Sequence, residues 1–135
     1  CLHTSTFAGN PLASAAVRAT VELIERESLV ERSRELGERI LGELRSILAD
    51  LMPNPVRDVR GLGLLVGVEF VEESKAAEFM FELIQRRTLV SHSLNAHKVV
   101  RVTPSVTLGE SDLERLLTAF RESAEAIARN EGRSS

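Results

Sequence analysis

The first third of the chain repeats apolar residues at helical spacing, which predicts two helices. The first runs from Asn10 to about Glu27, because Asn10 can cap a helix, Pro11 fits its first turn and alanines follow. The second begins at the capping box Ser28-x-x-Glu31 and stops at Pro53-Asn54-Pro55. The apolar positions that share one face of this second helix are Leu36, Ile40, Leu44, Ile47, Leu48 and Leu51.

From Val56 the pattern changes from helical to alternating, which predicts strands. Residues 56–60 alternate, and the run from Leu64 to Phe70 is apolar and prone to β structure. Gly61 and Gly63 lie between the two segments and predict the turn of an antiparallel hairpin. A dinucleotide-binding loop does not fit these glycines, because such a loop opens a helix, whereas a strand follows Gly63.

The rest of the chain predicts a helix, two short strands and a final helix. The third helix should run from Ser74 to Arg87, and strands are expected at Leu89–Ser91 and Val99–Val102, with a turn at Asn95–Lys98. A capping box, Ser111-x-x-Glu114, predicts the start of the last helix, and residues 130–135 are expected to fray. The residues expected to face inwards from these two helices are Ala76, Phe79, Met80, Leu83, Ile84, Leu113, Leu116, Leu117, Phe120, Ala124 and Ile127. The whole pattern predicts an α+β fold, with helices on one face of a mostly antiparallel sheet of about four strands.

Composition narrows the classes of function. The 135 residues are 43% hydrophobic, which is enough for one core. A net charge of −3 and scattered arginines give no reason to expect nucleic acid as a partner. No apolar run approaches the roughly 20 residues of a membrane span, and no signal pattern opens the chain. Cys1 is the single cysteine, which fits a cytoplasmic setting.

The segment His3-Thr4-Ser5-Thr6-Phe7-Ala8-Gly9-Asn10-Pro11 has the residue types of an anion site. Hydroxyls donate to phosphate oxygens, glycine lets the backbone come close, and a helix N-terminus adds a partial positive charge. The same residues also suit a helix start that binds no ligand, and spacing alone favours this interpretation over an anion site. Because the chain begins in the middle of this pattern, we expect it to be part of a longer protein.

Three segments occur in a fixed order along the chain. They are His3 to Ala16, Arg60 to Glu69 and Val100 to Thr107. Together they resemble class-III aminotransferases, which are fold-type-I pyridoxal-phosphate enzymes. The first is similar to the segment after the cofactor-binding lysine, the second to the small-domain hairpin and the third to the segment of the substrate-carboxylate arginine. Within the family, Phe79 to Pro104 is most similar to putrescine aminotransferases.

The resemblance implies a domain organisation and a cofactor site. Residues 28–135 would form the small C-terminal domain, and residues 1–27 a cofactor-edge segment and a helix that links to a large domain outside this chain. Thr6 would hold the phosphate of pyridoxal 5'-phosphate in the neighbouring subunit of a homodimer. Ser5 would face the substrate or the same phosphate.

Arg101 lies between Val100 and Val102, where a charge needs a partner. Its fork of donors suits a carboxylate bidentately, and the resemblance implies that it binds the carboxylate of glutamate or 2-oxoglutarate. The alternative is an internal salt bridge with Glu69 or Asp58.

No residue of this chain is predicted to be catalytic. The resemblance places the lysine that carries the cofactor before His3, because neither Lys75 nor Lys98 lies in its sequence context; we therefore expect this chain alone to be inactive. The three histidines lack the spacing of a metal site. The amphipathic helices carry mixed charges and are typical of core-facing rather than membrane-bound helices.

The resulting prediction is an aminotransferase that moves an amino group from a diamine such as putrescine to 2-oxoglutarate through pyridoxal phosphate. The alternative within the family is an acetylornithine or ornithine aminotransferase. Ala8 stands where the family usually has glycine, and Ser105-Val106 follows Pro104 where proline and leucine are common. The alternative from another class is a non-catalytic α+β interaction or regulatory module.

Overall fold

The computed structural model describes Thr6 and residues 9–133, with side chains as far as Asn130. The elements in chain order are α1 (Pro11–Arg26), α2 (Leu29–Leu51), β1 (Val56–Leu62), β2 (Leu65–Phe70), α3 (Glu73–Gln85), β3 (Ser91–Ser93), β4 (Ala96–Val102) and α4 (Glu110–Arg133). The chain divides into two compact units, residues 1–32 and residues 33–135. The predicted α+β class is confirmed.

The first unit contains α1, whose start is set by Asn10. The Asn10 Oδ1 atom accepts hydrogen bonds from the backbone N–H of Leu12 at 2.9 Å and of Ala13 at 3.1 Å. The backbone N–H of Ser14 donates to the Asn10 carbonyl at 2.9 Å. The predicted helix and its cap are therefore confirmed. None of the 16 residues of α1 is buried.

The second unit is built on a four-stranded antiparallel sheet with the order β1-β2-β4-β3. The predicted β1–β2 hairpin is confirmed: Leu62 pairs with Leu65, and Gly63 turns the chain at a φ of +52°. The predicted strand bounds at 89–91 and 99–102 are wrong, since β3 and β4 lie at 91–93 and 96–102. Asn95 does lie in the turn, whereas Ala96, His97 and Lys98 belong to β4. These three residues are exposed and lie beyond the part of β4 that pairs with β2, so polar residues are accepted there.

One face of the sheet forms the core with α2, α3 and α4. The buried strand residues are Val59, Val66, Val68, Phe70, Val100 and Val102, and they belong to one cluster with buried residues of these three helices. The Phe79 ring of α3 joins the layers, with its centroid 5.3 Å from that of Phe70 and 5.5 Å from that of Phe120. The predicted arrangement of helices on one sheet face is confirmed. Ile84 was expected to face inwards but is 47% exposed.

The start and end of α4 differ from the prediction. The helix begins at Glu110, and the backbone N–H of Leu113 donates to the Gly109 carbonyl at 3.0 Å. Ser111 lies inside the first turn and therefore cannot be the capping residue. Residues 130–133 are helical rather than frayed. Over the described residues, none of the helices combines the length and apolar character that a membrane span requires.

Candidate functional site

Four residues from four strands form a row across the sheet face opposite the core. The register pairs Arg60 with Gly67, Gly67 with Arg101, and Arg101 with Ser91. Successive residues of a strand point to opposite faces. Since the valines next to these residues on β2 and β4 point into the core, the row points away from the helices.

An open cavity of about 410 Å³ lies on this face. Its lining residues are Arg60, Gly61, Leu62, Leu65, Val66, Gly67, Ser93, Val99 and Arg101. Among the described residues, the charged side chains of this lining are two arginines. Gly67 lies between these arginines and carries no side chain to separate them. Arg101 lies above an apolar floor, and its positive charge suits the cavity to an anion.

Arg101 is exposed, and Ser91 orients its guanidinium group. The Arg101 Nη2 and Nε atoms donate to Ser91 Oγ at 3.1 and 3.4 Å. Within the described part of the chain, Arg101 forms no ion pair with a carboxylate. The predicted alternative of a salt bridge with Glu69 or Asp58 is therefore wrong. The Nη1 side of the fork is left for a ligand.

Arg60 pairs with Asp58 and Glu69, the two carboxylates that the sequence offered as partners for Arg101. The Arg60 Nη1 atom donates to Asp58 Oδ2 at 2.9 Å and to Glu69 Oε2 at 2.6 Å. These hydrogen bonds, first the one that Asp58 accepts, raise the pKa of Arg60 above its usual value, so the group stays charged. Arg57 Nη1 lies 3.4 Å from Glu69 Oε1. Both acids are thus neutralised on the β1 side of the sheet.

Ser91 and Arg60 are the site residues that sequence reasoning did not assign. The Ser91 assignment depends on the register of β3 against β4, which the misplaced strand bounds concealed. Arg60 belongs to a segment that carries the family resemblance, so a signal was present, but the sequence does not indicate which acids it pairs with.

Thr6 lies in a turn of the first unit and its side chain is exposed. The helix start that follows cannot supply amides to an anion, because Asn10 takes the N–H groups of Leu12 and Ala13 and Pro11 has none. The expected contribution of the helix dipole to anion binding stays a prediction. Ser5 lies outside the described residues.

The two lysines, and the two histidines that the structure describes, lie apart from the row. Lys75 Nζ lies 3.2 Å from Glu78 Oε2, and Lys98 Nζ donates to the Val71 carbonyl at 2.8 Å. His92 and His97 stack with their ring centroids 5.1 Å apart and line a different cavity. In the described part of the chain, no three His, Cys, Asp or Glu side chains are grouped as metal ligands would be.

Comparison with known proteins gives a match to one family and to several solved structures. The aminotransferase class-III family model matches residues 1–123. An ornithine aminotransferase of Toxoplasma gondii, whose active site holds pyridoxal phosphate at partial occupancy, is 28% identical, with a TM-score of 0.82 over 98% of this chain and 31% of that chain. The ornithine δ-aminotransferase of Plasmodium falciparum is 27% identical, with a TM-score of 0.81 over 96% and 32%.

The acetylornithine aminotransferase of Elizabethkingia anophelis is 26% identical, with a TM-score of 0.78 over 92% of this chain and 32% of that chain. The chain therefore spans about a third of the length of the solved structures it matches. The similarity extends over both units of the chain.

Proposed function

The chain belongs to the aminotransferase class-III family, and we propose that the whole protein transfers an amino group to 2-oxoglutarate with the aid of pyridoxal 5'-phosphate. The observation that carries this proposal is Arg101, which lies exposed in the open cavity and forms no ion pair with a carboxylate of the described residues. A cation held by a neutral serine rather than an acid is suited to a carboxylate ligand. The lysine that binds the cofactor would lie outside this chain.

The chain's contribution to the cofactor site would be its first segment. Thr6 presents an exposed hydroxyl, which fits a phosphate oxygen as a hydrogen-bond donor. Ser5 precedes it and would face the same phosphate or the substrate. Because Asn10 already satisfies the amides of α1, hydroxyls rather than helix amides would bind the phosphate. When bound, the cofactor supplies the electron sink that the reaction needs.

The assembled enzyme would be a homodimer in which Thr6 of one subunit reaches the cofactor of the other. Residues 28–135 would form the small domain, with residues 1–27 leading into it from a large domain. We propose a cytoplasmic location, with which the single cysteine of the chain agrees.

Arg101 would bind and orient the acceptor. A bidentate pair of its N–H groups with a carboxylate of 2-oxoglutarate fixes both position and direction of that substrate. Ser91 would hold the guanidinium group in place from the edge strand. The apolar side chains of Leu65 and Val99 beside it would exclude water from part of the contact.

For the donor, we propose a diamine such as putrescine, which the resemblance of residues 79–104 supports. The second candidate is ornithine or acetylornithine, which the names of the similar solved structures support. A diamine carries no carboxylate, so it would not use Arg101, whereas ornithine would present its own carboxylate to the same residue.

The test uses the full-length protein loaded with pyridoxal phosphate. Putrescine, ornithine and acetylornithine are added singly without acceptor, and the cofactor's absorbance reports its conversion from the aldehyde to the amine form. We expect putrescine to convert it fastest and 2-oxoglutarate to restore it. If ornithine or acetylornithine converts the cofactor faster, that amine replaces putrescine as the proposed donor. No conversion by any amine would favour the non-catalytic module.

A further inference from the structure

Glu69 and Arg101 are close enough in the sheet to form an ion pair. Glu69 pairs with Val99, and Arg101 lies two residues further along β4 on the same face. Such diagonal neighbours are about 7–8 Å apart and within reach of long side chains. An ion pair between them would occupy the guanidinium group that a carboxylate ligand needs.

The structure holds Glu69 on the opposite side. Arg60 is its diagonal neighbour on β1, and Arg60 Nη1 lies 2.6 Å from Glu69 Oε2. The Glu69 side chain is only 22% exposed, so it has limited freedom to turn elsewhere. Asp58, which pairs with Glu69 across the strands, also accepts from Arg60 and draws its guanidinium group towards β1.

A register shift in β1 supplies the second cation. The pairing with β2 shifts between Val56 and Asp58, so Arg57 is an extra residue of β1 at this point. Such a bulge redirects a side chain. Arg57 Nη1 lies 3.4 Å from Glu69 Oε1, so both carboxylate oxygens of Glu69 face arginines of β1.

We propose that Arg60 is a positioning residue for Arg101: it keeps Glu69 on the β1 side of the sheet and thereby leaves Arg101 available to a carboxylate ligand. The proposal rests on the carboxylate-binding role proposed above for Arg101. Without Arg60, Glu69 would compete with the ligand for Arg101 as an intramolecular anion, which has a high effective concentration.

The test measures binding of glutarate, a dicarboxylate without a reactive keto group, to the full-length holoenzyme by titration calorimetry. Arg60→Ala should weaken the binding about fivefold, the range expected for competition by a partly exposed ion pair. Arg60→Ala combined with Glu69→Gln should restore wild-type affinity. In steady-state kinetics, Arg60→Ala should raise the KM for 2-oxoglutarate more than it lowers kcat.

A matched double variant separates competition by Glu69 from a general loss of positive charge. Arg60→Ala with Asp58→Asn has the same net charge as Arg60→Ala with Glu69→Gln, but it leaves Glu69 ionised. We expect it to bind glutarate as weakly as Arg60→Ala alone. Equal rescue by both double variants would overturn the proposal in favour of a charge effect.

Two further outcomes would contradict the proposed role of Arg60. Wild-type affinity in Arg60→Ala would show that Glu69 does not compete, and failure of Glu69→Gln to rescue would show that Arg60 supports the hairpin rather than the ligand site. Arg101→Ala tests the premise separately. If that variant binds glutarate as tightly as the wild type, the carboxylate role of Arg101 is wrong, whatever Arg60 does.

Discussion

Gly37 of α2 lies directly against Gly63, the residue that turns the chain between β1 and β2. A Cβ atom added at Gly37 would lie 2.7 Å from Gly63 Cα and closer still to the Gly63 carbonyl. Backbone atoms cannot relieve such a contact by changing rotamer. The hairpin that carries Arg60 and Gly67 therefore rests on α2 at a point where only glycine fits.

We predict that Gly37→Ala lowers the free energy of unfolding by about 2–3 kcal/mol, as overpacking of a core does. Gly42→Ala is the matched control, because a Cβ at Gly42 on the same helix would have no neighbour within 4 Å. That variant should gain about 0.5–1 kcal/mol from the helix preference of alanine. Urea denaturation of the 135-residue chain measures both. A Gly37→Ala variant as stable as Gly42→Ala would contradict the packing described.

Sequence patterns predicted the elements of the fold better than the contacts between them. The β1–β2 hairpin could be predicted because Gly61 and Gly63 interrupt two β-prone runs, which is local information. The role of Gly37 could not, since a glycine in a helix has meaning only through what it faces. The misplaced β3–β4 hairpin has a similar cause. β3 is the edge strand, and residues 96–98 of β4 extend beyond the pairing with β2, so polar residues are accepted in both, which is a tertiary property.

The candidate site divides in the same way. Arg101 could be proposed from its apolar flanks and the family resemblance, but its partner Ser91 depends on strand register. Spacing left Glu69 and Asp58 open as partners of Arg101, and the structure gives both to Arg60. Glu69 pairs with Arg60 because Asp58 and the bulge in β1 favour that side of the sheet. The sequence pattern shows neither the position of Asp58 beside Glu69 nor the bulge.

Arg101 should affect the two half-reactions of the full-length enzyme unequally. If Arg101 binds 2-oxoglutarate as we propose, Arg101→Ala would remove a charge-assisted contact, and we predict that the KM for this acceptor rises about 10- to 100-fold. The half-reaction with putrescine should change much less, because a diamine has no carboxylate. Arg101→Lys should be intermediate, since lysine keeps the charge but not the fork. Equal damage to both half-reactions, measured by single-turnover absorbance, would indicate a structural role instead.

Thr6 should contribute to retention of the cofactor through its hydroxyl. In the full-length protein, Thr6→Val keeps the shape of the side chain and removes the donor, so we predict about tenfold weaker binding of pyridoxal phosphate. Thr6→Ser keeps the hydroxyl and should stay near the wild type. Dialysis followed by cofactor fluorescence measures the retained fraction. Unchanged affinity in Thr6→Val would remove Thr6 from the cofactor site.

The ion pair between Arg39 of α2 and Glu110 of α4 should make stability depend on pH. The hydrogen bond from Arg39 lowers the pKa of Glu110 below its usual value of 4.5. A lowered carboxyl pKa stabilises the fold above the unfolded value, and the contribution is lost as pH falls through the folded value. Glu110→Gln should therefore lower the Tm at pH 7 and leave it unchanged near pH 2, where the wild-type carboxyl is also neutral. A difference that persists at low pH would point to packing rather than charge.

Ser123 of α4 should be a site where removing a polar group stabilises the protein. Its side chain is fully buried, and among the described residues its Oγ atom has no hydrogen-bond partner. A buried hydroxyl without a partner has lost its hydrogen bonds to water and has formed none within the protein. We therefore predict that Ser123→Ala raises the free energy of unfolding by about 1–2 kcal/mol. Part of this gain would come from the helix preference of alanine. Ser46→Ala, at an exposed position of α2, measures that part alone. In urea denaturation Ser123→Ala should exceed Ser46→Ala, and a loss of stability would mean that the hydroxyl is hydrogen-bonded in solution.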